Sequence, residues 1–169
     1  MHQAVLRSYD HSCRSLPQRS MTARPCVPVL LQTAQARQYS AMENAFSSTG
    51  GIVSADEVVT RLGRHTDQPI SQLARWIVDH AVLSFPWRTR TMLPLFQFQF
   101  QFHLASITIH PTVTAVIGEL VPVLGDWDIS VWFAEPNAWV SDTAPVDAID
   151  RDVRAVLDAA RAERYLARG

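Results

Sequence analysis

The chain of 169 residues has no lysine, and all 15 of its basic side chains are arginine. Beside its abundant alanine, this reflects a GC-rich genome, and no function is read from it. Cysteine is nearly missing: Cys13 and Cys26 are the only two. They form neither a disulfide framework nor a metal-binding spacing, so a reducing, cytoplasmic setting is the expectation. No apolar run approaches the ~20 residues that cross a bilayer, so no membrane partner is expected. Val27-Pro28-Val29-Leu30-Leu31 followed by Ala34-Gln35-Ala36 imitates an export signal, but it is short and holds a proline. Excess charge is lacking too. A net −1 does not draw the whole chain to nucleic acid or anionic lipid.

Catalytic signatures are equally scarce. There is no glycine-rich phosphate loop and no Gly-x-Ser-x-Gly elbow. The six histidines, His2, His11, His65, His80, His103 and His110, are scattered without ligand spacing. His103 and His110 would meet only across a hairpin, and a ligand set needs further partners. Asp142, Asp147, Asp150 and Asp152 cluster in sequence, where helix caps and turns account for them better than an acid–base pair does. The expectation is a protein that is not an enzyme and holds no cofactor and no metal.

What is present is a globular composition, 47% hydrophobic and 18% charged. Residues 1–50, rich in Ser, Arg, Gln and Pro, read as a disordered tail or linker, with Met21 and Met42 as alternative starts. Residues 51–110 read as a helix–helix–hairpin region. Ser54 and Glu57 form a capping box, and Val58, Val59 and Leu62 make an apolar stripe. Ser71 caps a second helix through His80, with Leu73, Trp76, Ile77 and Val78 inward. Val82–Phe85 and Met92–Phe102 read as strands with a turn from Pro86 to Arg90. In the second, Phe96, Phe98, Phe100 and Phe102 take one face and Gln97, Gln99 and Gln101 the other. Ile107–Ile109 is a further short strand.

Residues 111–169 read as four helices. Pro111 starts the first, with Val113, Val116, Ile117 and Leu120 on one face. Asp126 caps the second, which Pro136-Asn137 stops; Pro145 opens a short third; Asp150 caps the last, 151–167. The fold class is α+β, mostly helical. Charge is uneven: residues 119–169 hold five arginines and ten acids, a local −5 that suits a basic partner. Trp127, Trp132, Phe133, Trp139 and Tyr165 concentrate aromatic surface there. Trp139, just past the helix-breaking Pro136-Asn137, is the residue best placed as a half-exposed anchor.

The run Trp127 to Val140, with Trp132-Phe133 two residues before Pro136-Asn137, then Ala144-Pro145-Val146 and the helix Val153 to Ala160, resembles the toxin-binding domain of Xre/MbcA/ParS-type antitoxins. Leu93-Pro94-Leu95-Phe96-Gln97-Phe98 followed by His110-Pro111 resembles the hairpin and helix start that precede this domain in small relatives, so the likeness spans roughly residues 52–169. The resemblance implies an antitoxin that binds and occludes a RES-type, NAD-consuming toxin and regulates its own operon. It implies contacts from Trp132, Asn137, Trp139, Arg161, Arg164, Tyr165 and Arg168. Where the family has a glycine between its proline elements, this chain has Asp142-Thr143. It also lacks a clear Xre-type helix-turn-helix. The rival reading is a stand-alone winged-helix regulator whose Arg61, Arg64, Arg75, Arg88 and Arg90 touch operator DNA, although a net +1 over residues 51–118 is a weak footprint. A homodimer is compatible with either reading.

Overall fold

The computed structural model describes residues 27–101 and 106–169. The first element departs from the expected tail: Val27–Phe46 is a helix, α1. Gln, Ala, Met, Arg and Glu give it strong helix formers but a weak amphipathic pattern. Its apolar anchors, Tyr39, Met42 and Phe46, recur at helical spacing on one side and are buried. Residues 1–26, which carry Met21, Cys13, Cys26 and the rest of the expected tail, lie outside the described residues. After α1 the chain turns at Gly50, whose φ of 101° favours glycine and whose absent Cβ would meet the Leu95 side chain at 3.2 Å.

A short strand β1 (Ile52–Ser54) leads into α2 (Ala55–Leu62). Ser54 accepts from the Glu57 N–H as the capping box requires, while the Glu57 carboxylate pairs forward with Arg61 rather than backward. Helix α3 (Pro69–Val78) begins two residues before the expected Ser71 cap, because Pro69 supplies a pre-set first turn. Leu73 is its buried residue, and Val78 is exposed rather than inward. The hairpin is tighter than expected. β2 (Phe85–Trp87) and β3 (Arg90–Pro94) pair Trp87 with Arg90, leaving only Arg88 and Thr89 in the turn. Arg88 takes a φ of 55° there. β1 adds to the other edge of β3, giving the antiparallel order β1-β3-β2.

The long strand expected over 92–102 is broken. Leu95–Gln97 forms a single 3₁₀ turn, and β4 (Phe98–Gln101) then pairs antiparallel with β5 (Ser106–Ile109). The turn rotates the chain, so simple alternation fails. Phe96 enters the main core, whereas Leu95 and Phe98 enter a second, smaller one with Val58, Leu62 and Leu73. Gln97 is fully buried beside the rings instead of opposite them. Its Nε2 donates to the Leu83 carbonyl at 3.0 Å and its Oε1 accepts from the Leu83 N–H at 2.6 Å. Both functions of the amide are therefore satisfied away from water. Phe102 and His103 lie outside the described residues.

Four helices follow: α4 (Pro111–Leu120), α5 (Asp126–Ala134), α6 (Pro145–Ala148) and α7 (Val153–Ala167). Val113, Val116, Ile117 and Leu120 are all buried, as their spacing predicts. Two caps move by one or two residues: Gly125 stands at the start of α5, and Asp152, not Asp150, accepts from the Ala155 N–H to cap α7. The architecture is α+β and mostly helical. The main core joins α4–α7 to α1 and to Leu83, Phe85 and Phe96, so apolar packing crosses the expected boundary at residue 110. An aromatic seam runs through it. Phe46 packs on Phe96 and Phe96 on Phe133, each at 4.9 Å between ring centres, and Phe133 meets Trp132 edge-on.

Two outcomes follow for stability. Phe46→Ala should cost about 3–5 kcal/mol in denaturant unfolding, and a chain begun at Met42 should unfold at lower temperature than the full chain. Gln97→Met keeps the volume but strands the Leu83 N–H and C=O, so it should cost at least about 2 kcal/mol by the same measurement.

Candidate functional site

Residues 111–169 hold the side chains that the sequence singles out for protein contact, and packing sorts them into distinct settings. Helix α7 lies against α4. Val156, Ala159 and Ala160 face the core. One side of α7 is clipped down electrostatically: Glu119 on α4 receives Arg164 at 2.5 Å and Arg161 at 3.2 Å, and Arg161 also reaches Asp158 at 3.1 Å. These partners hold the Arg161 guanidinium above its ordinary pKa, the Glu119 hydrogen bond most of all. Arg161 and Arg164 are thus engaged within the protein, while Arg168, Tyr165 and Leu166 extend from its C-terminal end exposed. Tyr165 is 81% and Leu166 69% exposed.

Trp132 and Asn137 shape the module from inside. Trp132 is buried against Phe133, and its indole Nε1 meets no hydrogen-bond partner among the described residues. The Asn137 side chain accepts from the Trp139 N–H at 2.9 Å and starts a 3₁₀ turn over Ala138–Val140. That turn packs against α7, buries Val140 and leaves Trp139 62% exposed. The anchor position expected of Trp139 is thus strongly exposed, whereas Trp132 is buried and Asn137 half-buried.

The turn after Trp139-Val140 is left-handed. Ser141 and Asp142 both have φ of 56°. The conformation is held by backbone bonds: the Asp142 N–H donates to the Asn137 carbonyl, and the Asn137 N–H donates to the Thr143 carbonyl. Asp tolerates this region better than most side chains, which is how the turn survives without glycine.

Beside this turn, a groove of about 330 Å³ opens between α5, Pro136-Asn137 and α7. Val131, Trp132 and Pro136 give it apolar walls, and Asp128, Glu135 and Glu163 give it three carboxylates. Glu163 lies roughly 200° around α7 from Arg161, on the side away from the Glu119 clip.

The arginines proposed for DNA do not converge in one depression. Arg61 is paired with Glu57 at 2.5 Å. Arg64 is exposed just past α2. Arg75 lines a depression at the start of α3. Arg88 and Arg90 line another, between α1 and the hairpin, together with Glu43. There Tyr39 stacks on Trp87 at 4.2 Å, and burial followed by the nearby Glu43 raises its phenol pKa.

His110 is buried at the start of α4, and its Nε2 lies 2.8 Å from Asp150 Oδ1. This explains Asp150, which sequence position had assigned to the cap of α7. Among the described residues, no group of three His, Cys, Asp or Glu side chains comes together as a metal site, and no helix is long and apolar enough to cross a membrane.

Asp142→Gly should raise stability by about 0.5–1 kcal/mol, because relief of left-handed strain exceeds the added unfolded-state entropy. Thermal unfolding checks this, and Thr143→Gly, outside the strained pair, should not stabilise. Set against known proteins, the chain matches no family model, no curated protein and no solved structure.

Proposed function

We propose that this is a binding protein whose C-terminal helical module holds another protein, in the manner of the antitoxin domain it resembles. The observation that carries this reading is the strong exposure of Trp139, Tyr165 and Leu166 on a module whose other large apolar side chains, Val153 apart, are packed. Trp and Tyr combine a large contact area with a polar atom, and such residues dominate the energetics of protein interfaces. Leu166 extends the line Val156, Ala159, Glu163 along α7, so an incoming chain would continue the helix's own packing stripe.

By the resemblance, the partner is a RES-type toxin, and the end of α7, with Tyr165, Leu166 and Arg168, enters its cleft. Arg161 and Arg164 serve this indirectly, by fixing α7 to Glu119 so that its end projects in a set direction. Autoregulation through operator DNA draws no such support, because Arg61 is paired with Glu57 and Arg75 lines a different depression from Arg88 and Arg90.

Co-expression with the product of the adjacent reading frame tests the proposal. That product should arrest growth alone, be silenced by this protein and copurify with it. Trp139→Ala together with deletion of residues 165–169 should weaken the complex by at least about 2 kcal/mol, roughly thirtyfold. A harmless neighbour, or a complex indifferent to those changes, overturns it.

A further inference from the structure

We infer that the groove between α5 and α7 is the seat for a cationic, amphipathic segment of the protein partner, with arginine or lysine side chains on its carboxylates. This rests on the protein-binding reading above and adds the chemistry of what is bound.

The argument begins with how the acids of this module are used. Glu119 is taken by Arg161 and Arg164, and Asp158 by Arg154 and Arg161. Asp126 accepts from the Ser84 N–H, Asp150 meets His110, and Asp152 caps α7. Five acids in residues 119–169 have no such partner among the described residues: Asp128, Glu135, Asp142, Asp147 and Glu163. Three of these five border the same groove, which has no arginine in its lining.

Fixed charges of one sign around a concave surface focus the field and attract the opposite sign. The walls add what a small cation would not use. Val131, Trp132 and Pro136 offer apolar surface to the methylene stem of a long basic side chain, whose charged head then reaches the carboxylates. Leu124 adds to the apolar lining. Charge complementarity and apolar walls together select a basic peptide segment rather than a free metal ion or an anionic polymer.

A phage-displayed library of random dodecapeptides, selected on the full chain, tests this directly. Enriched sequences should carry Arg or Lys beside apolar residues and lose affinity as salt rises. Asp128→Asn/Glu135→Gln/Glu163→Gln should weaken them at least about tenfold, and Glu163→Gln alone should weaken them by about a third of that factor or more. Asp142→Asn/Asp147→Asn, which removes like charge elsewhere in the module, should leave binding unchanged. Circular dichroism confirms that each variant is folded, and the single variant decides the matter if the triple one is not. The inference fails if no peptide is enriched, if the enriched peptides lack cations, or if they bind the variants equally well. It also fails if the wild-type chain forms a dimer that the triple variant loses, since a second copy would then be the occupant. Peptide binding at the groove without a copurifying neighbour would remove the toxin and leave the groove's chemistry standing. A Trp139-dependent complex with peptides blind to the carboxylates would do the reverse.

Discussion

The buried amide of Gln97 is the contact on which the two halves of this fold depend. A strand running uninterrupted from β3 into β4 would place Phe96 and Phe98 on one face. The 3₁₀ turn at Leu95–Gln97 sends them into different cores, and such a turn leaves backbone and side-chain polar groups to be satisfied in a dry interior. The Gln97 amide meets the side-chain part by bonding the N–H and the carbonyl of Leu83, fourteen residues back, and the Leu95 N–H donates to the Gly51 carbonyl. Leu83 is thereby held at the main core beside Phe85, while Leu95 and Phe98 close the smaller core over α2 and α3. The same turn links the cores from another direction, because the His110 N–H donates to the Gln97 carbonyl at 2.9 Å and so sets the start of α4.

From that junction the helical module is built outward by apolar packing and oriented by a few polar contacts. The ring seam from Phe46 through Phe96 to Phe133 makes α1 part of the same interior as α5. The Trp127 indole N–H donates to the Gln38 side chain at 3.0 Å, a polar tie between the same two helices. Helix α7 is then turned in place by Glu119, which spends its carboxylate on two arginines of one face. Glu163 stands on the stripe of α7 that carries the buried Val156 and Ala159, where the groove opens.

The division of labour among the candidate contact residues follows from this geometry. Trp132 and Asn137 carry the sequence resemblance, yet their side chains serve the interior and a turn. Trp139, Tyr165 and Arg168 carry exposed surface. The acids Asp128, Glu135 and Glu163 drew no attention in the linear sequence, because each by itself is an ordinary carboxylate on or just past a helix. Only the angle between α5 and α7 brings them to one groove. Their detectable trace was the net −5 of residues 119–169, a signal of sign without position.

The sequence by itself determined the elements whose signals are local. The capping at Ser54, the proline starts at Pro111 and Pro145, the buried face of α4 and the helix break at Pro136-Asn137 each depend on residues within about two turns of one another. Tertiary structure alone decided what depends on distant partners. It made α1 a helix with a buried face, because Tyr39, Met42 and Phe46 find Trp87, Phe96 and the C-terminal helices far along the chain. It broke the phenylalanine strand because Leu83 could satisfy Gln97. It moved Asp150 from cap to His110 and gathered three carboxylates in one groove. Periodicity records which side of an element is apolar, but not which other element will meet it.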